Sequence, residues 1–105
     1  MLCYRRHNET FSGAVDWTIF EADNFLIDHI SMTVDNTVVS PDILKVKIVS
    51  SLGSDYDVTL RAVETAGYYD FLCKDFCRIF NGDKVNITFP NTDLNNVSIT
   101  VVIGI

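Results

Sequence analysis

Residues 84 to 105 read KVNITFPNTDLNNVSITVVIGI, and this stretch decides the fold. In each half every second residue is apolar, and side chains two positions apart lie on the same side of an extended strand. These apolar sets are Val85, Ile87 and Phe89 in the first half, and Val97, Ile99, Val101 and Ile103 in the second. The polar segment PNTDLNN between them predicts a turn. The stretch therefore predicts two strands, each with one face to bury.

The same period of two recurs through the rest of the chain. It groups Val15, Trp17 and Ile19; then Ile30, Met32 and Val34; then Leu44, Val46 and Ile48; and then Tyr56, Val58, Leu60 and Ala62. Asp28 falls in the apolar phase of the second group and blurs the beginning of that strand. Turn signals such as Asn81-Gly82-Asp83 separate the groups about every 10 to 14 residues. The phase of the segment from 68 to 80 is not fixed by this pattern.

Seven or eight strands with one apolar face each need a second layer to cover them. The sequence therefore predicts an all-β fold, an antiparallel two-sheet β-sandwich or jelly roll, with a small closed barrel as the alternative. The predicted aromatic centre consists of Trp17, Phe25, Tyr56, Phe71 and Phe89. A chain of 105 residues is the size of one domain. We expect that domain to span residues 1 to 105, with residues 1 to 11 as an N-terminal arm.

The composition of the chain argues against two classes of binding partner, nucleic acids and membranes. Acidic residues outnumber basic ones by 14 to 8, giving a net charge of −6 at pH 7. Affinity for nucleic acid comes chiefly from Lys and Arg, so no nucleic-acid partner is expected. No window approaches the ~20 apolar residues of a membrane-spanning helix, and the N-terminus lacks the apolar core of a secretion signal, so no membrane partner is expected. An odd count of three cysteines is typical of a reducing cytoplasm.

The chain lacks the motifs of catalytic, metal and cofactor sites. Cys73 and Cys77 have the spacing of half a zinc site, but His7 and His29 lie in unrelated segments without ligand spacing. On a strand, the four-residue gap turns both sulfurs to one face, where cysteine is usually a small core residue. The acids at 55 to 57 do not fit a calcium loop, and a solvated turn explains them. We therefore expect neither an enzyme nor a bound cofactor.

Two features predict contacts between proteins. Residues 101 to 105 are apolar on both faces, and such surface is usually covered by its own sheet or by a neighbouring subunit. The edge strands of a sandwich also leave hydrogen-bonding groups open, which a subunit contact can satisfy. Tyr68 and Tyr69, beside a turn, are the best place for a sugar-binding platform, but adjacent strand residues point to opposite sides. The predicted partner-binding residues are Tyr4, Arg5, Arg6, Phe11, Tyr68 and Tyr69.

Three blocks of the sequence carry a resemblance to a known group. They are GAVDWTIFEADNF entering FLIDHISMTV, then ILKVKIVSSLGSDYDVTL, and then IFNGDKVNITFPNTDLNNVSITVVI. With these blocks the chain resembles small β-sandwich structural proteins of tailed bacteriophages, over about residues 12 to 103. The last two blocks carry most of the likeness. They contain a small-residue turn into Tyr56-Asp57 and a strand, then a turn at Gly82-Asp83, a strand ending in Pro90-Asn91-Thr92-Asp93, and a final strand. The chain departs from the group at 71 to 80, where Cys73, Lys74 and Cys77 replace a more apolar run containing proline.

The resemblance implies a virion component without enzymatic activity, made in the host cytoplasm. Its expected role is capsid decoration, as a cement protein that bridges neighbouring capsid subunits and forms homo-oligomers. A place on the tail or on a head fibre is the other location that the resemblance allows. The alternative function is a carbohydrate- or receptor-binding module of a fibre or tail. The expected partners are capsid or other virion proteins and further copies of the chain, with a carbohydrate under the alternative.

Overall fold

The computed structural model describes residues 3–21, 23–73 and 77–105, and the side chains of Cys73 and Cys77 lie outside that description. Nine β-strands lie in the described part of the chain, together with one short 3₁₀ helix at Ser54–Tyr56. The strands are β1 (Tyr4–Phe11), β2 (Val15–Ile19), β3 (Phe25–Val34), β4 (Ile43–Val49), β5 (Val58–Glu64), β6 (Asp70–Cys73), β7 (Cys77–Ile79), β8 (Lys84–Phe89) and β9 (Val97–Gly104). No helix among the described residues is long and apolar enough to cross a membrane.

The strands form two antiparallel sheets, which confirms the predicted fold class. One sheet has the order β1-β9-β3-β6, with β7 also paired to β3, and the other has the order β2-β8-β4-β5. The chain is thus folded around its midpoint, so that β1 pairs with β9, β2 with β8, β3 with β6 and β7, and β4 with β5. This nesting is the strand order of a jelly roll. Since β6 and β7 share one place beside β3, nine strands fill the eight positions of that fold.

The core lies between the sheets and follows the predicted alternation closely. The seven alternating apolar residues of the β8–β9 stretch are all at most 1% exposed. Leu44 and Val46 of β4 are 1% and 2% exposed and join the same core from the second sheet. β8, β9 and the first half of β4 therefore bury the face that their sequence marks as apolar. Covering these faces is the main stabilising term, at roughly 1.5–3 kcal/mol for each buried side chain.

A β-bulge explains why Asp28 blurs the start of its strand. The register of β3 against β9 shifts between Ile27 and His29, which inserts Asp28 as an extra residue. The buried phase consequently changes from Phe25 and Ile27 before the bulge to Ile30 after it. The carboxylate of Asp28 accepts a hydrogen bond from the Nδ1–H of the adjacent His29 ring at 2.7 Å, at the partly exposed surface. One residue out of phase is therefore accommodated without burying its charge.

The predicted aromatic centre is only partly correct. Phe25 and Phe89 are buried, and Trp17 and Phe71 pack against the core from partly buried positions. Tyr56 is wrong, because it ends the 3₁₀ helix before β5 and is 62% exposed. A register shift between β4 and β5 moves the phase of β5, so that Leu60 and Val63 face inward while Val58 is exposed. A bulge changes the face that a strict alternation assigns.

Residues 4–11, which the sequence analysis assigns to an N-terminal arm, form the edge strand β1. They pair with β9 without a register shift, from Tyr4 opposite Gly104 to Phe11 opposite Val97. Alternation does not predict this strand, because its inward positions before Phe11 lie at the rim of the sandwich and carry polar side chains. Arg5 and His7 there meet Glu21, with nitrogen–oxygen distances of 2.8 and 2.9 Å.

Candidate functional site: the loop end

Four loops meet at one end of the sandwich, which we call the loop end. They are residues 12–14, 35–42, 65–69 and 90–96, the connections between β1 and β2, β3 and β4, β5 and β6, and β8 and β9. Hydrogen bonds between the loops show that they are in contact. Val38 donates its N–H to the Tyr68 carbonyl at 2.9 Å, and Gly67 donates back to the Val38 carbonyl at 2.7 Å. The loop end is therefore one continuous surface built on the edges of both sheets.

Two aspartates brace the 35–42 loop against the 90–96 loop. Asp93 accepts hydrogen bonds from the Val39 N–H at 2.7 Å, from the Ser40 N–H at 3.2 Å, and from the Ser40 hydroxyl. Asp42, in the 35–42 loop, accepts hydrogen bonds from the N–H and the hydroxyl of Thr92, both at 2.8 Å. Each carboxylate thus replaces the backbone pairing that an irregular loop lacks. The two loops are held in one arrangement.

The Asp93 carboxylate is electrostatically stabilised by this geometry. The Ser40 hydroxyl first, and then the N–H groups of Val39 and Ser40, lower the pKa of Asp93 below its ordinary 3.8. Hydrogen bonds to a carboxylate favour its charged form, and the slight burial of the group only partly opposes them. Asp93 is therefore an acceptor that organises a loop, and its oxygens are occupied by donors of its own chain.

Asn91 fixes the third loop to the same frame. It is 1% exposed and adopts a left-handed backbone with φ 49°, which asparagine tolerates better than most residues. Its amide nitrogen donates to the carbonyls of Gly13 at 3.0 Å and Asn95 at 2.9 Å. Its amide oxygen accepts from the Asn95 N–H at 3.1 Å. A single buried side chain thus joins the 12–14 and 90–96 loops.

Apolar side chains project from this braced frame into solvent. Val39 is 81% exposed, Leu94 72%, Tyr68 58% and Tyr69 56%. The hydrogen bonds of Val39 and Tyr68 place these residues on neighbouring loops, and Leu94 follows Asp93 directly. We call these four residues the apolar tips. Exposed apolar groups gathered on one surface mark contact sites in many proteins.

Leu94 combines exposure with an unfavourable backbone. Its φ is 56°, in the left-handed region that a leucine rarely adopts. The turn closed by the hydrogen bond from its N–H to the Asn91 carbonyl at 2.9 Å holds it there. Strained residues persist where the surrounding structure determines them, and they cluster at functional sites. Among the exposed apolar residues of the described chain, Leu94 alone has a positive φ.

The predicted partner-binding residues do not form one cluster. Tyr68 and Tyr69 lie in the 65–69 loop among the apolar tips, outside any strand, so both are exposed and the opposite-sides argument does not apply to them. Phe11 ends β1 near the loop end but is half-buried against Trp17, with ring centroids 6.0 Å apart. Tyr4, Arg5 and Arg6 begin β1 at the other end of the sandwich.

Val39 and Leu94 are the members of the site that sequence reasoning missed. Both are single exposed aliphatic residues within turn segments rich in Asn, Asp, Ser and Thr. The turn signals correctly predict connections between strands, but they do not predict which side chain inside each turn is exposed and apolar. An aliphatic side chain flanked by turn-forming residues, as in TDLNN, is the signal that could have found them.

Loops at the opposite end of the sandwich are also joined by hydrogen bonds, in which Asp83 accepts from the Ser51 N–H at 2.9 Å and Asn24 accepts from the Asn81 N–H at 2.6 Å. That end carries a second set of exposed apolar residues. Leu52, Tyr56 and Phe80 are 76%, 62% and 61% exposed there. A small open pocket nearby is lined by Arg5, Glu21, Asp23 and Ile105. Arg5 and Glu21 form an ion pair with each other there at 2.8 Å.

Within the described residues, no group of three or more His, Cys, Asp or Glu side chains is arranged to hold a metal ion. The predicted shared face of Cys73 and Cys77 lies outside the described side chains.

Comparison with protein-family models, with curated proteins and with solved structures finds no match to this chain.

Proposed function

We infer that this protein is a non-enzymatic structural component of a bacteriophage virion. Its role is capsid decoration: it attaches to the capsid through the loop end, bridges neighbouring capsid subunits, and associates with further copies of itself. It is made in the host cytoplasm and resides in the particle. The resemblance of its sequence blocks to phage β-sandwich proteins supports the virion assignment. The apolar tips support the mode of attachment, and they are the observation that carries it.

A braced apolar surface suits attachment to a particle for an energetic reason. Ordering a mobile loop on binding costs free energy, and a loop already held in its bound form avoids that cost. Asp93 and Asp42 hold the 35–42 and 90–96 loops by hydrogen bonds from both sides, so Val39 and Leu94 are presented in fixed positions. Standard-size contacts bury about 1,600 Å² in total. The apolar tips would form the centre of such a contact, with the surrounding polar loops as its rim.

Co-sedimentation with empty capsids tests attachment, and Leu94 is the residue to change. Leu94→Asn removes the apolar side chain, while asparagine tolerates the left-handed backbone. Burying a leucine contributes roughly 1.5–3 kcal/mol, so we expect attachment to weaken by about 10- to 100-fold. Leu52→Asn is the matched control, because Leu52 is equally exposed but lies at the opposite end. Equal attachment of both variants, or none by the unmodified protein, would contradict the proposal.

A carbohydrate-binding role is a second candidate, favoured by the pair Tyr68 and Tyr69. Both rings are more than half exposed beside each other in one loop, and the Tyr68 ring is supported by Phe71 at a centroid distance of 5.3 Å. Aromatic rings with a polar tip are suited to contacts that are apolar on one side and wet on the other. Retention on a glycan array that is lost in Tyr68→Ala, with no capsid binding, would replace decoration by this function.

A further inference from the structure

The hydrogen-bond pattern of β1 leaves one side of its backbone open. Cys3 and Ile105 exchange both N–H···O bonds, at 3.0 and 2.8 Å, so they form a hydrogen-bonded pair. Such pairs alternate along an antiparallel ladder, and the register of β1 against β9 has no shift. The odd-numbered residues of β1 therefore bond to β9. The even-numbered residues direct their N–H and C=O groups away from β9, and they are Tyr4, Arg6, Asn8 and Thr10.

This open edge differs from the other edges of the two sheets. β1 is paired over eight consecutive residues without a bulge. β5 has a register shift against β4, β2 has only five residues, and the edge beside β3 is divided between β6 and β7. Bulges, short strands and interruptions are three of the features that prevent edge-to-edge pairing. Among the described strands, β1 is the long edge that has none of them.

Antiparallel pairing of β1 with a second β1 has one register that satisfies every open group. In two identical antiparallel strands, the numbers of any two directly opposite residues add up to the same value, which defines the register. A two-fold axis perpendicular to the sheet keeps the outer faces of both copies on the same side, so this sum must be even. When the sum is 14, Tyr4 lies opposite Thr10 and Arg6 lies opposite Asn8. All four open residues of each copy then fall in hydrogen-bonded pairs. A shift of two residues in either direction leaves Tyr4 or Thr10 without a partner in the strand.

The side chains favour the same register. With the sum at 14, Arg5 lies opposite Glu9 of the second copy, twice by symmetry, and His7 lies opposite itself at the axis. These are non-hydrogen-bonded pairs, in which the strands' side chains are closest, and opposite charges placed there stabilise a ladder. The sum of 12 instead places Arg6 against Arg6, and like charges directly opposite destabilise it. Within the described residues Glu9 has no ion pair, so its carboxylate is available.

The inward charges identify the partner as a second copy. Arg5 and His7 point to the inner side of the sheet, where both reach Glu21. Glu9 lies on the same inward face, opposite Ile99, and has no ion pair within the described residues. An arbitrary strand would cover its charge without a partner, and charges that point inward on an edge strand oppose such pairing. A second β1 in this register supplies the opposite charge for Arg5 and Glu9 at the same time. Few other strands would do so, and this difference is the basis of specificity.

We propose that β1 pairs with β1 of a second copy about a two-fold axis at His7, which joins two five-stranded sheets into one continuous sheet. The inference rests on the self-association included in the proposed function, but not on attachment through the loop end. The resulting contact is isologous, since the same residues contribute from both sides. Tyr4, Arg5 and Arg6, predicted to bind a partner, then belong to the contact between copies.

Disulfide formation between two copies of a single-cysteine variant reports the register directly. In a Cys3→Ser background, His7→Cys places two sulfurs across the axis, where the strands are close enough for a disulfide. Asn8→Cys would cross-link only when the sum is 16, and Arg6→Cys only when it is 12, so these are matched controls. We expect mild oxidation to link only the His7→Cys variant, with the bond located by peptide mass spectrometry. Cross-linking of either control in preference to His7→Cys, or of none, would overturn the register.

Sedimentation velocity measures the contact without cross-links. We expect the unmodified protein to sediment with about twice the mass of one chain, which is 11.8 kDa. Glu9→Arg places two cations opposite each other and should raise the dimer dissociation constant by at least ~10-fold. Arg6→Pro removes an open N–H that β9 does not use, so it should dissociate the dimer while leaving the fold intact. Arg6→Ala keeps that N–H and should remain dimeric. A monomeric unmodified protein, or equal masses for Arg6→Pro and Arg6→Ala, would contradict the inference.

The two proposals fail separately. A dimer with the His7 cross-link that does not sediment with capsids would remove the attachment function and leave the β1 contact standing. Capsid binding by a protein that stays monomeric and forms no cross-link would remove the β1 contact alone. Circular dichroism of each variant shows whether it remains folded. If Glu9→Arg is unfolded, the milder substitution Glu9→Gln takes its place.

Discussion

The carboxylate of Asp93 accepts a hydrogen bond from the Ser40 hydroxyl across 53 positions of sequence. This contact, with the N–H groups of Val39 and Ser40, fastens the two loops that carry Val39 and Leu94. The loop end is therefore organised by polar groups, although the residues it exposes are apolar. Its arrangement depends on the carboxylates of Asp93 and Asp42.

Lowering the pH should release this contact. Since the pKa of Asp93 in the folded protein lies below 3.8, the unfolded chain takes up the proton at a higher pH than the folded protein does. The stabilisation is present in full above pH 3.8 and is lost as the pH falls through the folded value. Ser40→Ala removes the largest cause and should move the pKa of Asp93 upward, as measured by NMR titration of its carboxyl group.

Thr92→Ala is the control for that titration. It removes a hydroxyl donor from Asp42 on the same pair of loops and leaves the donors of Asp93 in place. The Asp93 titration should therefore be unchanged in Thr92→Ala. If Ser40→Ala titrates like the unmodified protein, the hydroxyl does not stabilise the carboxylate.

A second prediction separates the aromatic residues of the core from those of the surface. Phe89 is 1% exposed within the core, so Phe89→Ala should lower the free energy of unfolding by ~3–5 kcal/mol. Tyr56 is 62% exposed, so Tyr56→Ala should change it by less than ~0.5 kcal/mol. Urea unfolding of the two variants gives the comparison. A large loss in Tyr56→Ala would restore that residue to the core, where its sequence phase placed it.

The sequence predicts the strands whose inner faces lie in the middle of the sandwich. Val85, Ile87 and Ile99 alternate there without interruption, and the structure buries all three completely. Alternation is reliable in these strands because both neighbouring strands and the opposite sheet require the same face to be apolar. The two-layer fold follows from the same pattern. The position of a strand in the sheet thus determines how reliably alternation predicts its buried face.

The rest of the fold depends on features that alternation does not encode. The bulge at Asp28 and the shift between β4 and β5 each change the buried phase by one residue. The inner face of the edge strand β1 is apolar only at Phe11, because the opposite sheet covers the rest of it only at the rim, where Glu21 lies. The loop end joins residues that are far apart in sequence, such as Asn91 and Gly13. Such long-range pairs follow from the topology, which a single sequence does not specify.

A third prediction concerns the buried polar residue Asn86 on the outer face of the second sheet. It is 7% exposed, and its amide donates to the Asp16 carboxylate at 2.8 Å and the Thr18 hydroxyl at 3.1 Å. Asn86→Ala should cost about 1–3 kcal/mol, because it leaves these acceptors of β2 without their donor. Thr88→Ala, at the next outward position of β8, should cost less than half as much. Equal losses in thermal or urea unfolding would show that the Asn86 bonds contribute nothing.

A fourth prediction uses two glycines that differ in backbone. Gly82 has φ 92°, and a Cβ there would lie 3.2 Å from the Cβ of Ser51. Gly82→Ala should therefore destabilise the protein by more than ~1 kcal/mol. Gly13 meets no atom within 4 Å and has no positive φ, so Gly13→Ala should be neutral or slightly stabilising. The two variants share the same chemical change, and identical unfolding midpoints would exclude backbone strain at Gly82.

The last prediction is that folding and attachment respond in opposite directions at Leu94. A left-handed backbone costs an ordinary L-residue roughly 1–2 kcal/mol, and asparagine bears this cost more easily than leucine. Leu94 is 72% exposed, so its side chain contributes little burial in the free protein. Leu94→Asn should therefore raise the free energy of unfolding by up to ~1 kcal/mol while it weakens attachment. Leu52→Asn should alter neither quantity, because its backbone lacks the positive φ. A Leu94→Asn variant less stable than the unmodified protein would mean that the leucine serves the fold, and its exposed position would then need another explanation than a contact.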